Sequence, residues 1–149
     1  MYRILEFERD APKRAKFNQS QRISMELWDC SGDLQYETGW PALVHDVKGC
    51  ILVFDPDSAT AEKDVEDFHR AFVQGSGLKD SQVIMFGHRK EAGNDTRPRL
   101  PRVVQKIPLA MSNIDSNSSG ISAEFTKLIA SIVAVLDEES EKAEEAVMA

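Results

Sequence analysis

Asp29 and Gly32 are the first residues whose types and spacing could do chemistry. Ile23, Met25 and Leu27 alternate with polar residues up to Trp28 and Asp29, and Gly32 follows shortly after. This pattern predicts a strand running into a loop. An Asp at the end of a strand can hold Mg²⁺ in a phosphoryl-transfer site, and a Gly just beyond it lets a backbone N–H approach a terminal phosphate. The pattern Asp-x-x-Gly is cheap, with on the order of one chance match in every two chains of this length at average composition. A second copy runs from Asp46 to Gly49, so only the surrounding elements can raise the first above background.

Other chemistries find less support. His45, His69 and His88 share no metal-ligand spacing with one another or with Cys30 and Cys50. His69 falls on the polar side of its helical pattern and is expected to be solvated. Ser31, Asp33 and His45 lack the Gly-x-Ser-x-Gly elbow of a nucleophilic serine. Each cysteine sits beside an apolar run, which predicts buried thiols and not a disulfide.

The chain has 149 residues, 42% hydrophobic and 29% charged, which suits one soluble domain with a sizeable core. No run approaches the roughly 18 apolar residues of a membrane span. Charges in the first 20 residues, Tyr at position 2 and the ending Val-Met-Ala give the expectation of an intracellular chain without a lipid anchor. The net charge of −7 is unevenly spread: residues 1–24 hold six basic and three acidic side chains, and residues 87–106 hold six and two. Residues 137–149 hold six acids against Lys142. A basic body with an acidic tail favours protein partners over nucleic acid.

The positioning elements follow in order. Residues 2–7 alternate as a strand, residues 9–22 form a basic connection, and residues 23–29 return as the second strand of an antiparallel hairpin. Pro41 can open a helix at its first turn. Residues 50–54 are an unbroken apolar run, the pattern of a parallel strand buried on both faces. Asp57 or Ser58 can cap a helix with the apolar stripe Ala61, Val65, Phe68 and Phe72, which Gly75 and Gly77 end. Residues 83–86 are a further buried strand, 91–104 a loop, and a last short strand runs from Val103 or Gln105 to Ala110. An amphipathic helix follows, with Ile121, Phe125, Leu128, Ile129, Ile132, Val133 and Leu136 on its core face. Beyond Asp137 the apolar face ends, which divides the chain into a body of residues 1–137 and an acidic tail of 138–149. This is an α/β order, and its site lies at the carboxyl ends of the strands, where Asp29, Asp55 and residues 88–90 fall. A receiver-type sheet would want an opening strand with an acidic pair, which this chain does not supply. Trp28 is expected in the core, and Trp40 either there or on a partner surface.

Leu27-Trp28-Asp29-Cys30-Ser31-Gly32-Asp33, then Trp40-Pro41-Ala42-Leu43, Gly49-Cys50-Ile51-Leu52-Val53-Phe54, Gly87-His88-Arg89-Lys90 and Ser112-Asn113-Ile114-Asp115 resemble the Rab-like small GTPases. Within that group they are most similar to the intraflagellar transport protein 22 family, also called Rab-like protein 5, over essentially the whole chain. The resemblance implies a Ras-like P-loop NTPase G domain: a mostly parallel sheet with one antiparallel edge hairpin. It implies a subunit of the intraflagellar transport B complex that acts as a protein-binding scaffold on coiled-coil partners. The location implied is the cytoplasm and the cilium or flagellum, with neither nucleic acid nor a direct membrane anchor.

By the same resemblance, Asp29 would hold Mg²⁺ through water, Gly32 would meet the γ-phosphate, and His88, Arg89, Lys90 and Glu91 would stand at the base-recognition motif. Cys30, Ser31, Asp33 and Trp40 would belong to a switch-like region. The first strand, the phosphate loop Gly-x-x-x-x-Gly-Lys-[Ser/Thr] and the first helix have no counterpart here, so the expectation is an N-terminally truncated domain. It would have two unpaired ladders in mid-sheet and impaired nucleotide binding. GTP or GDP with Mg²⁺ is then expected only for a full-length form, and no cofactor for this chain. Asp33 stands where active relatives use Gln to orient water, which implies slow hydrolysis and no catalytic residue. Glu91 stands in for the Asp that reads guanine. The alternative is a slow but active GTP-binding small GTPase.

Overall fold

A computed structural model of the chain describes residues 2–11, 22–90, 97–116 and 118–148. The first two strands, β1 (Tyr2–Asp10) and β2 (Arg22–Cys30), pair antiparallel from Tyr2 opposite Cys30 to Asp10 opposite Arg22. β1 outruns its apolar alternation, and Glu8 meets Arg22 in an exposed ion pair at 3.2 Å in the added stretch. Three parallel strands, β3 (Cys50–Phe54), β4 (Val83–His88) and β5 (Leu109–Ser112), form a second sheet in the order β3-β4-β5. No ladder joins the two sheets among the described residues, so β2 and β3 each keep an edge without a strand. Parallel sheet and antiparallel hairpin are thus both present.

Helices cover the parallel sheet on both faces. On one side Leu52, Phe54, Val83 and Met85 pack with Val65 and Val73, which come from α2 (Ala61–Phe68) and the π-helical turn His69–Gln74 after it. On the other, Ile84 and Phe86 meet Leu128 of α3 (Ser118–Met148). Alternate residues of β4 point to opposite faces, which is why its apolar run has no polar gap. β3 departs from that expectation, because Val53 is 56% exposed. As an edge strand it is covered on the α2 side, while α3 lies over β4, and Ile51 of β3 packs against the cluster formed there.

Further differences have local causes. α2 begins after Thr60, which accepts the Asp64 N–H through its carbonyl, because Asp57 is engaged elsewhere. His69 is buried and not solvated: the π-helical turn adds residues to one turn and so rotates the polar side inward. Its Nδ1 has no hydrogen-bond partner among the described residues. Residues 102–104 form a 3₁₀ turn that buries Val104, which delays β5 to Leu109. The acidic segment continues α3 as helix through Met148. Both cysteines are free and partly buried, and burial pushes the Cys50 thiol up to about 12.

Candidate functional site

The predicted residues separate into two clusters. The first follows β2. Asp29 is exposed, lies opposite Arg3 in the hairpin, and lines an open cleft of about 330 Å³ with Tyr2, Arg3, Ser31, Asp33 and Gln35. The loop beyond it is tied locally. Ser31 Oγ accepts the Asp33 N–H at 3.3 Å, and Asp33 Oδ1 accepts the Gln35 N–H at 3.0 Å. Asp33 thereby caps the 3₁₀ turn Leu34–Gly39, and Gln35 Nε2 donates to its other oxygen at 2.7 Å. These bonds, first the backbone one, hold the Asp33 carboxyl below its ordinary value and so keep it ionised. The Cys30 thiol is pushed up, by burial first and then by the charge of Asp29.

Trp40 closes the far end of this loop. Pro41 starts the one-turn helix α1 (Trp40–Leu43). There the Trp40 ring, 4% exposed, stands edge-on to Phe68 at 6.1 Å and tilted against Phe72 at 5.0 Å. Its Nε1–H donates to the Ser31 carbonyl at 3.2 Å, which satisfies the indole where it is buried. Gly32 lies so close to the Phe68 ring that an added Cβ would come within 2.6 Å of it. The close approach that a glycine permits here is therefore to an aromatic ring. By contrast, Asp46 of the second Asp-x-x-Gly pattern has φ 62° and accepts from Lys48 Nζ at 2.6 Å, an ordinary turn. Trp28, expected in the core, is 42% exposed. Among the described residues no helix covers the outer face of the hairpin, and the ring stacks on Tyr2 at 5.2 Å and donates from Nε1 to Glu26 at 3.1 Å.

The second cluster sits at the carboxyl ends of β4 and β5. His88 Nδ1 is 3.2 Å from Ser112 Oγ. Arg89 is buried, and its guanidinium grips Asp57 at two points, Nε to Oδ2 at 2.8 Å and Nη2 to Oδ1 at 3.0 Å. Such a fork fixes geometry as well as charge. The hydrogen bond from Arg89 holds the Asp57 carboxyl below its ordinary value. The Arg89 N–H donates to the Ser112 carbonyl, and its own carbonyl accepts from Asn113 Nδ2, both at 3.0 Å. Asn113 Oδ1 in turn accepts the N–H groups of Asp115 and Ser116. Lys90 is exposed, and Glu91 lies outside the described residues. No described hydrogen bond or ion pair joins this cluster to the one around Asp29. Sequence reasoning missed Asp57 as the partner of Arg89. The available signal was an acid three residues beyond a core strand with a basic run after the next.

A parallel sheet with helices on both faces and a strand-end Asp followed by a loop glycine define the class, and the Ras family model matches residues 7–133. The domain is of the Ras type. A Danio rerio protein described as intraflagellar transport protein 22 homolog is 37% identical over 144 residues, covering 95% of this chain and 76% of that relative. The chain belongs to the intraflagellar transport protein 22 family of Ras-type proteins. Two solved structures share the fold. T. brucei IFT22/74/81 in its GTP-bound form matches with a TM-score of 0.70 at 23% identity, over 93% of this chain and 76% of that one. T. brucei IFT22 in its GDP-bound form matches with 0.61 at 24%, over 76% and 74%.

Proposed function

We propose that the chain is a G-domain-shaped scaffold of the intraflagellar transport B complex. It docks on coiled-coil subunits of the 74/81 kind in the cytoplasm and the cilium or flagellum, and it binds nucleotide weakly. The observation that carries this reading is the tied loop after Asp29. Trp40 holds Ser31, Phe68 is in contact with Gly32, and Asp33 is spent as a helix cap. A loop fixed by its own side chains has less freedom to follow a γ-phosphate than one ordered by it. In this reading the body of residues 1–137 docks, and 138–149 is a separate acidic extension. The test is titration of the chain with a 74/81 heterodimer, with and without GTP and Mg²⁺. Binding of equal strength in both conditions is expected; a strict requirement for GTP overturns the reading.

The second reading, a slow GTPase, is favoured by the solved relatives that carry GTP and GDP. Asp29 would then hold Mg²⁺ through water, Gly32 would offer its N–H to the γ-phosphate, and His88, Arg89, Lys90 and Glu91 would border the base. Cys30, Ser31, Asp33 and Trp40 would form the switch. Single-turnover hydrolysis decides it: phosphate release far below the rate of active Ras-type enzymes supports the slow enzyme, and a rate near theirs overturns the expectation of slow hydrolysis.

A further inference from the structure

We infer that the exposed face of residues 97–106 is a docking surface for the acidic end of α3 from a second copy of this chain. Between β4 and β5 every third residue turns inward, and Pro101, Val104 and Ile107 are buried. Leu100, Val104 and Ile107 join the apolar cluster on the α2 side of the sheet. The residues between them face solvent, so Arg97, Arg99, Arg102 and Lys106 stand outward together with Val103, itself 46% exposed. Of these four cations only Arg99 meets an acid among the described residues, Glu62 at 3.8 Å.

The complementary half lies in the last turns of α3. Glu139 reaches Lys79 at 3.8 Å, but Glu138, Glu141, Glu144 and Glu145 are exposed and have no basic partner among the described residues. Glu138, Glu141, Glu145 and Met148 recur at three- and four-residue spacing, so they share one helix face, acidic with an apolar end. The two halves do not meet within one molecule. α3 packs on the sheet face opposite to α2 and runs unbroken from Ser118 to Met148, and no ion pair joins the two segments among the described residues. A partner that answers both at once must carry an acidic helix and a basic surface, and a second copy carries both. Each copy then gives its helix and receives another's, a head-to-tail contact that can repeat. The net charge of −7 opposes self-association in general. Six acids against Lys142 in residues 137–149 concentrate that repulsion on the segment the contact neutralises. Single exposed ion pairs contribute little, so the contact depends on several together and on low salt. This inference is independent of the scaffold reading above.

The test is sedimentation equilibrium of the full chain over a range of concentrations, at ionic strengths of about 0.01 M and about 1 M, where the screening length falls about tenfold. The wild type should associate at low salt and be monomeric at high salt. One variant reverses the basic surface, Arg102→Glu with Lys106→Glu; the other reverses the helix, Glu141→Lys with Glu145→Lys. All four sites are exposed, so melting temperatures should stay close to that of the wild type. Each variant alone should associate about tenfold or more weakly than the wild type, and an equal mixture of the two should associate again, because each then meets an opposite charge on the other. A wild type that stays monomeric at low salt, variants that associate as well as it does, or a mixture that stays monomeric would each overturn the inference. If the wild type is monomeric and the reversed basic surface instead loses binding to a 74/81 heterodimer, the occupant is an acidic segment of that partner and the inference is likewise overturned.

Discussion

Trp28 and Trp40 flank the same loop and meet opposite fates. Trp40 is packed by Phe68 and Phe72 and bonded to Ser31, whereas Trp28 stacks on Tyr2 in solvent. The same contrast separates the sheets to which they belong. β4 is buried along nearly its whole length, while β1 and β2 expose apolar side chains on both faces. Side-chain chemistry does not decide which tryptophan is core; the supply of a second layer does. α2 and its π-helical turn come back over the loop, and among the described residues no comparable element comes back over the outer hairpin face.

Substitutions can break this contrast in order of effect. Trp40→Ala should cost about 3–5 kcal/mol, the usual range for deleting a buried aromatic. Hydrogen exchange should then rise first in residues 31–43, and a uniform rise across the chain would show that Trp40 does not hold the loop. Met85→Ala, at a fully buried site of the parallel sheet, should cost about 2–5 kcal/mol in urea unfolding. Gly32→Ala should cost about 1–3 kcal/mol, because the new methyl displaces the Phe68 ring on which Trp40 leans; Phe68→Leu should recover part of that loss by making room. At the other end, Trp28→Ala should change stability by no more than about 0.5 kcal/mol, as expected for an exposed site.

The clamp at the end of β4 gives a prediction in pH. The folded protein holds the Asp57 carboxyl below its ordinary value, so the Asp57–Arg89 pair adds stability above the ordinary value of 3.8. That contribution is lost as the pH falls below it toward the folded value. Asp57→Asn should therefore lower the melting temperature slightly at pH 7, with an effect that shrinks as the pH falls below 3.8. A difference that persists undiminished however far the pH falls below 3.8 would show that the carboxylate charge is not what matters.

Much of the architecture was legible because it rests on period and composition. The run of residues 83–86 and the stripe through Val65 and Leu128 can satisfy themselves only in a covered parallel sheet. The short motif was legible as a loop after Asp29, and Pro41 as the start of a turn. Trp28 was not, because alternation says which residues share a face and not whether anything covers it. His69 was not, because a π-helical turn leaves no periodic signature in so short a segment. The Asp57–Arg89 pair joins two loops distant in sequence, and single residues of opposite charge are too common to announce their partner.

The π-helical turn His69–Gln74 carries one consequence of its own. A wide turn holds a surplus residue relative to an ordinary helix, and removing one would let the backbone tighten without tearing the strands on either side. The segment would then be re-phased by about 100°, and Phe72 would swing off the indole. A one-residue deletion there should be tolerated by the architecture and still release the loop, which makes helical winding itself an adjustable setting of this domain.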